Sequence, residues 1–246
     1  MQYEFTLHSA NLAYEDGLRV WQGNDRKAQF RPEEIAIVVV DMWDRHWSAG
    51  ATRRAAALAP QMDAILRRAR QDGALIIHAP SDCMEFYADH PARKRALALA
   101  PLPLPNVVEV PDVPAPVDAG DGGSDSERDD FEANTNVWVR QNPAIFIDEA
   151  RDLISDNGEL VYAHLRARGI ALVLYVGVHT NMCILGRSFA IKAMRRAGLQ
   201  TALVCDLTDA MYNPARPPYV SHAEGTRLVI AHIEKFYCPT ITSDQL

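Results

Sequence analysis

Four largely apolar runs constrain the fold more than any other feature of this sequence. The runs are rich in Val, Ile and Leu and cover residues 35–40, 74–79, 170–176 and 201–206. Runs without alternating polar positions are typical of strands that are buried on both faces of a parallel sheet. Segments between the runs carry apolar residues at helical spacing, so the sequence predicts a three-layer α/β/α sandwich around a mostly parallel, Rossmann-like sheet.

Turn-forming and capping residues indicate where the helices lie. Pro60 suits a first helical turn and Gly73 suits a helix end, which predicts a helix between them. The predicted helices cover residues 60–71, 158–168 and 183–196 and the segment after Ser221, which begins a capping box. Residues 136–139 are predicted to form a short strand.

Length and composition favour one main domain. A chain of 246 residues with 48% hydrophobic residues can bury a large core and stays within the size of a single α/β unit. The alternation of Tyr3, Phe5 and Leu7, followed by polar, turn-rich sequence, indicates an arm or hairpin. We therefore expect an N-terminal arm over residues 1–34 and a single domain over residues 35–246.

The charge balance argues against nucleic acid or an anionic membrane as a partner. Lys and Arg total 25 against 32 Asp and Glu, which gives a net charge of −7, and no basic cluster has interleaved aromatic residues. We expect a small-molecule substrate and a homo-oligomer. The sequence has neither a signal-peptide pattern nor an apolar stretch long enough for a bilayer, which predicts a cytoplasmic protein.

Neither the cysteines nor the acidic segment indicates a metal site. The four cysteines form no Cys-x-x-Cys pair, which argues against a zinc ribbon and a disulfide framework. Residues 101–132 are rich in Pro and then in Asp, Gly and Ser, which is typical of a loop or lid. Because the spacing of its acidic part, residues 117–132, does not match an EF-hand, we predict a solvated loop without metal.

Chemically useful side chains follow the predicted strands. In sheets of this kind, ligands bind at the carboxyl ends of the strands. Asp41 ends the first run as a buried carboxylate, which is explained by a cap, an ion pair or catalysis. Cys183 lies in the first turn of a helix after a strand, where a thiolate is stabilised, although a packed thiol is the alternative. The other residues at this edge are His78, Arg140, residues 177–183 and Asp206.

Two of these elements together resemble a known family. They are the strand that ends in Asp41-Met42 and the element Gly177-Val-His-Thr-x-x-Cys183 at a strand-to-helix turn, with a basic residue between them. They resemble the isochorismatase-like cysteine hydrolases, which include nicotinamidases, N-carbamoylsarcosine amidohydrolases and ureidoacrylate hydrolases. The likeness extends from Ile35 to the last helix. It implies an Asp, Lys, Cys triad, a non-proline cis peptide before the nucleophile and hydrolysis through a thioester.

Carried onto this sequence, the resemblance implies that Cys183 is the nucleophile and Asp41 the general acid/base. It places the cis peptide at Val178-His179 and the oxyanion hole at the backbone N–H groups of His179 and Cys183. Counting back from Phe146, the family lysine falls on Arg140, a departure from the family. Arginine keeps the positive charge but cannot exchange a proton near neutrality, so we expect Arg140 to stabilise a Cys183 thiolate electrostatically.

The residues around this triad differ from those of the amidases. The segment Trp43-Asp-Arg-His-Trp47 replaces a polar run, and aromatic side chains near strand ends suit a small planar substrate. The predicted pocket residues are Trp43, His46, Trp47, Trp138, His179 and Tyr212. Some nicotinamidases hold a metal through an Asp and two His residues. His78, Asp82 and His90 lie in the corresponding region without a full ligand set, and we predict no required metal and no cofactor.

The resemblance implies a hydrolase that cleaves a C–N bond of a small amide, ureido or carbamoyl substrate. Two alternatives stay open, an isochorismatase-type ether hydrolase that needs no thiol and a non-catalytic protein that binds a metabolite. The sequence contains neither the Gly-x-Ser-x-Gly of serine hydrolases nor the Gly-x-Gly-x-x-Gly of dinucleotide-binding proteins.

Overall fold

A computed structural model describes residues 2–246 and places the strands in one eight-stranded sheet. The strands are β1 (Tyr3–Glu15), β2 (Leu18–Phe30), β3 (Ile35–Val40), β4 (Leu75–Ala79), β5 (Leu153–Ile154), β6 (Leu172–Val178), β7 (Gln200–Asp209) and β8 (Thr240–Ile241). The helices are α1 (Ala49–Asp72), α2 (Pro91–Ala96), α3 (Gly158–Ala167), α4 (Cys183–Gly186), α5 (Ile191–Arg196) and α6 (His222–Phe236). The strand order is β2-β1-β8-β7-β6-β3-β4-β5.

The sheet is parallel from β8 to β5, and β1 and β2 form an antiparallel hairpin that joins β8 at His8 and Thr240. This arrangement confirms the predicted α/β fold with a mostly parallel sheet. None of the helices within residues 2–246 combines the length and the apolar character that crossing a membrane requires.

Strand β3 lies at the centre of the three layers. All six of its side chains are buried, and they alternate between two hydrophobic clusters. Ile35, Ile37 and Val39 pack with α1, whereas the intervening side chains pack with α3 to α6. Burial on both faces is what a continuous apolar run requires, which explains why the sequence predicted this strand correctly.

Three predicted elements differ from the structure. Helix α1 begins at Ala49, so Pro60 lies inside it rather than at its start. The Ala-rich first half favours a helix strongly enough to accommodate the proline, and the Ser48 side chain caps its first turn. The chain is extended at Arg187, which separates α4 from α5 and ends the continuous helix predicted after Cys183. The strand predicted over residues 136–139 is absent.

The acidic loop is attached to α1. Its side chains accept hydrogen bonds from the first turn of that helix. Gly50 N–H donates to Ser126 Oγ at 2.7 Å, and Ala49 N–H donates to Asp129 Oδ1 at 3.1 Å. A negative charge at a helix N-terminus is favourable because it opposes the helix dipole. The loop predicted to be solvated therefore caps the longest helix of the chain.

At the end of their pairing, Val40 of β3 faces Gly177 of β6. Gly177 has a φ of +109°, and a Cβ atom at this position would lie 2.1 Å from the Val40 carbonyl oxygen. Only glycine permits this approach, which brings the end of β3 next to the turn that follows β6.

We expect Gly177→Ala to lower the free energy of unfolding by about 3 kcal/mol, because it combines a strained φ with a backbone clash. Urea denaturation followed by circular dichroism measures the change. Gly186→Ala is the matched control, since nothing lies within 4 Å of its Cβ position. Equal stability of the two variants would contradict the role of Gly177.

Candidate active site

The ends of β3 and β6 bring Asp41 and Cys183 together. Asp41 is fully buried and has a φ of +46°, in the left-handed region that Asp tolerates better than most residues. Its carboxylate accepts a hydrogen bond from Ser81 N–H at 2.7 Å, and it lies close enough to the Cys183 thiol for its charge to raise the pKa of Cys183. The predicted nucleophile and the predicted acid/base are therefore neighbours.

Arg187 supplies the positive charge beside this pair. Its Nε lies 3.0 Å from Asp41 Oδ2, and its side chain is 33% exposed, so the guanidinium reaches from the buried carboxylate to the surface. The sequence interpretation missed Arg187. The available signal was a basic residue four positions after the proposed nucleophile, a spacing that places two side chains on one helix face.

Arg140, the predicted cation, lies elsewhere. Its side chain is exposed, and its guanidinium carbon lies 5.7 Å from the centre of the Phe86 ring. The next residue, Gln141, is buried and contacts His78 Nδ1 at 2.9 Å. Because neighbouring side chains of an extended segment point in opposite directions, Arg140 points outward. The structure corrects the prediction that Arg140 stabilises the thiol.

The thiol itself is in its neutral form. Burial, followed by the charge of Asp41, raises the pKa of Cys183 to about 12, although Arg187 acts in the opposite direction. Burial also raises the pKa of Asp41. A helix of four residues offers little dipole to oppose these effects. The raised pKa of Cys183 therefore runs against the expectation of a stabilised thiolate at pH 7.

The turn after β6 directs a backbone donor at the sulfur. The Val178-His179 peptide bond is cis, and the His179 N–H group lies close enough to the Cys183 sulfur to oppose the rise in the pKa of the thiol. Thr180 N–H donates to the Asp209 carbonyl at 2.9 Å, which fixes the turn against the end of β7. The His179 N–H group, one of the two predicted oxyanion donors, thus lies beside the thiol.

Five of the predicted pocket residues form one aromatic cluster, namely Trp43, His46, Trp47, Trp138 and His179. The rings of Trp43 and Trp138 stack with their centres 4.0 Å apart. Both indole N–H groups donate to the Ser81 carbonyl, at 3.0 and 3.1 Å. Tyr212 does not join them, because it is buried in the core and its hydroxyl donates to the Arg216 carbonyl.

Two histidines of the cluster are neutral at pH 7. Burial lowers the pKa of His46 to about 4 and that of His179 to about 3. Ser48 N–H donates to His46 Nδ1 at 3.1 Å, which places the His46 proton on Nε2. The Nε2 atom of His179 is buried and has no hydrogen-bond partner among residues 2–246. These rings therefore offer neutral polar groups to the site.

The residues considered for a metal have other contacts. His78 bonds Gln141 and Asp152, with Nε2 at 3.0 Å from Asp152 Oδ2, and Arg70 pairs with the same carboxylate. His90 caps α2 through its Nδ1 atom. Across the part of the chain that the structure describes, no three His, Cys, Asp or Glu side chains are grouped so that they could hold an ion.

Solved structures share this fold. A cysteine hydrolase from Pseudomonas syringae pv. phaseolicola 1448A is 19% identical, with a TM-score of 0.55 over 88% of this chain and 92% of that chain. An isochorismatase from Pseudomonas putida KT2440 is 12% identical, with a TM-score of 0.50 over 88% and 92% of the two chains. The fold is that of the isochorismatase-like hydrolases. No family model and no curated protein sequence matches the chain significantly.

The neutral state of His46 predicts an acid-sensitive fold. Its folded-state pKa lies below the usual value of about 6.5, so the unfolded chain binds a proton more readily between about pH 6.5 and pH 4. The free energy of unfolding therefore falls as the pH is lowered through this range, by up to about 1.4 kcal/mol per pH unit. We expect His46→Gln, which keeps an acceptor for Ser48, to reduce this slope in urea denaturation at pH 7, 6 and 5. An unchanged slope would contradict the assignment.

Proposed function

We propose that this protein is a cysteine hydrolase that cleaves a C–N bond of a small amide, ureido or carbamoyl compound through a thioester on Cys183. The observation that carries the proposal is the position of the Cys183 thiol beside the buried Asp41 carboxylate, which is paired in turn with Arg187 at 3.0 Å. A nucleophile next to a base that is oriented by a third group is the usual arrangement for covalent catalysis.

The first step is attack of the sulfur on the substrate carbonyl. Because the pKa of Cys183 is raised to about 12, little thiolate exists at pH 7, and Asp41 takes the proton as the C–S bond forms. The negative charge that develops on the carbonyl oxygen is stabilised by the backbone N–H groups of His179 and Cys183. Such donors typically contribute about 10² to 10³ in rate each.

The second step breaks the C–N bond. Asp41 returns the proton to the departing nitrogen, which leaves as an amine or ammonia, and the acyl group remains on Cys183 as a thioester. Water then attacks the thioester, with Asp41 accepting a proton from the water and the thiol regaining one. Arg187 does not exchange protons near neutrality, so its role is to favour the ionised form of Asp41.

The position of the Cys183 thiol beside Asp41 favours this reaction over the ether-hydrolase alternative, which needs no thiol.

An activity screen over small amides, ureas and carbamates tests the proposal. With any hydrolysed compound, we expect Cys183→Ser to lose at least about 10³-fold in kcat/KM, because the nucleophile is removed. Cys205→Ser, at another half-buried thiol, is the control and should retain activity. Activity that survives in Cys183→Ser but not in Asp41→Asn would show that the thiol is not required and would overturn the thioester mechanism, and a screen without any turnover would favour binding alone.

The two arginines are distinguished by paired substitutions. Arg187→Met removes the cation beside Asp41 and raises the pKa of Cys183 further, so we expect slower alkylation at pH 9 and a kcat about 10- to 100-fold lower. Arg187→Lys should keep much of the alkylation rate and of kcat, and Arg140→Met should have the same alkylation rate and kcat as the parent. Mass spectrometry after limited iodoacetamide treatment follows Cys183 directly. A larger effect at Arg140 than at Arg187 would overturn the assignment.

A further inference from the structure

The β1–β2 hairpin extends beyond the rest of the sheet. β1 pairs with β8 only at His8 and Thr240, so residues 9–15 and 18–24 form a projecting two-stranded ribbon. Seven residues of a strand span about 23 Å. Two strands without a third are marginally stable in water. A further strand that pairs with this ribbon would therefore stabilise it.

One edge of the ribbon is free. β2 covers one edge of residues 9–15, and no other strand of residues 2–246 pairs with them. Their sequence is Ser-Ala-Asn-Leu-Ala-Tyr-Glu, in which Glu15 is the single charged side chain. Natural proteins usually protect an edge strand with charged residues or proline, as β2 does with Asp25-Arg-Lys27. The unprotected edge of β1 is therefore suited to pairing with another strand.

The ribbon also carries exposed apolar side chains on one face. Leu12 is 45% exposed, Tyr14 71% and Trp21 41%, and Leu12 lies directly opposite Trp21. Alternate residues of a strand share a face, so Ala10, Leu12 and Tyr14 lie on the same side of β1. The ring of Phe236 packs against Trp21 and covers part of it. A free edge and an apolar face thus occur in the same segment.

A cleft of about 440 Å³ lies at the base of the ribbon. Its lining includes residues 9–11 of β1 and the first residues of two parallel strands, Leu172 of β6 and Gln200 of β7. Asp41 and Cys183 follow the opposite, carboxyl ends of β3 and β6. Contacts at the ribbon and the cleft therefore leave the candidate active site uncovered.

The cleft has an excess of positive charge. Its lining holds three cationic side chains, Arg26, Arg195 and Lys235. None of them forms an ion pair with a carboxylate of residues 2–246. Glu234 is the single carboxylate in the lining, and it accepts a hydrogen bond from Thr240 Oγ1 at 2.8 Å. Asp25 lies on the other face of β2 and contacts His8 Nδ1 at 2.6 Å.

We propose that a second copy of this chain binds along the free edge of β1. The two ribbons form a four-stranded antiparallel sheet across a twofold axis, and the tip of each ribbon enters the cleft of the other copy. A twofold axis perpendicular to the ribbon reverses the strand direction and keeps the apolar faces of both copies on the same side. Residues 9–15 are thus both halves of one self-complementary interface.

One register satisfies the apolar face and the charges together. It places the two Leu12 side chains opposite each other and pairs Tyr14 with Ala10 and Glu15 with Ser9 across the axis. Because Ser9 lines the cleft, the acidic tip Glu15-Asp16 of each copy then reaches the three cations of the other. The negative tip meets the positive cleft twice in each dimer, once in each direction.

Sedimentation equilibrium tests the association between about 1 and about 100 μM, where interfaces of modest area dissociate. We expect the parent to form a dimer. Leu12→Lys places two positive charges at the axis and should weaken association at least about tenfold. Leu102→Lys is the matched control, since Leu102 is 43% exposed and lies outside the ribbon, and it should dimerise like the parent. Circular dichroism shows whether each variant keeps the parent fold.

Exchange of charge between the tip and the cleft identifies the contact. Glu15→Lys and Arg195→Glu should each weaken self-association at least about tenfold, because each brings like charges together at both tips. An equal mixture of the two variants should recover dimers, since a mixed pair has one original contact and one contact with both charges reversed. A folding defect in either variant would not be rescued by mixing.

Hydrogen exchange followed by mass spectrometry locates the interface without any substitution. The amides of residues 9–15 should exchange more slowly at the highest protein concentration than at the lowest, and Leu12→Lys should remove this difference. A parent that stays monomeric, a dimer that persists unchanged in Leu12→Lys, or a mixture that associates no better than its two components would each overturn the inference.

Discussion

The buried carboxylate of Asp41 is the constraint on which the site depends. An unpaired buried charge costs several kcal/mol, so its partners must be held in place by the fold. Ser81 approaches from the end of β4, while Arg187 and the Cys183 thiol approach from the segment after β6. One side chain thus joins three neighbouring strand ends, and the approach of β3 to β6 at Gly177 makes this geometry possible.

The central strands were predictable because their side chains are buried on both faces of the sheet. Every residue of β3 is buried, and a strand that is buried on both faces requires a continuous apolar run. The start of α1 was not predictable from Pro60, because the cap at Ser48 and the contacts from Ser126 and Asp129 determine where the helix begins. The contacts from Ser126 and Asp129 join residues that are far apart in the sequence, and local patterns carry no information about them, whereas the Ser48 cap was a local signal that the interpretation missed.

The same distinction applies to the site. Asp41, Cys183 and the aromatic residues near them were identified from their positions at strand ends, where the topology brings them together. The cation was misassigned because the counting that selected Arg140 ignores side-chain direction, which the burial of Gln141 determines. The raised pKa of Cys183 could not be predicted either, since it follows from burial and from the neighbouring charge of Asp41.

The position of Arg187 has a consequence for how this protein can change during evolution. The proposed nucleophile and its neighbouring cation lie within one stretch of five residues, Cys183 to Arg187, and a single local conformation positions both. The exposed Arg140 side chain lies over the Phe86 ring instead. Substitutions of Arg140 itself can therefore accumulate without removing the cation beside Asp41, whereas its neighbours Trp138 and Gln141 are held by contacts with Trp43 and His78.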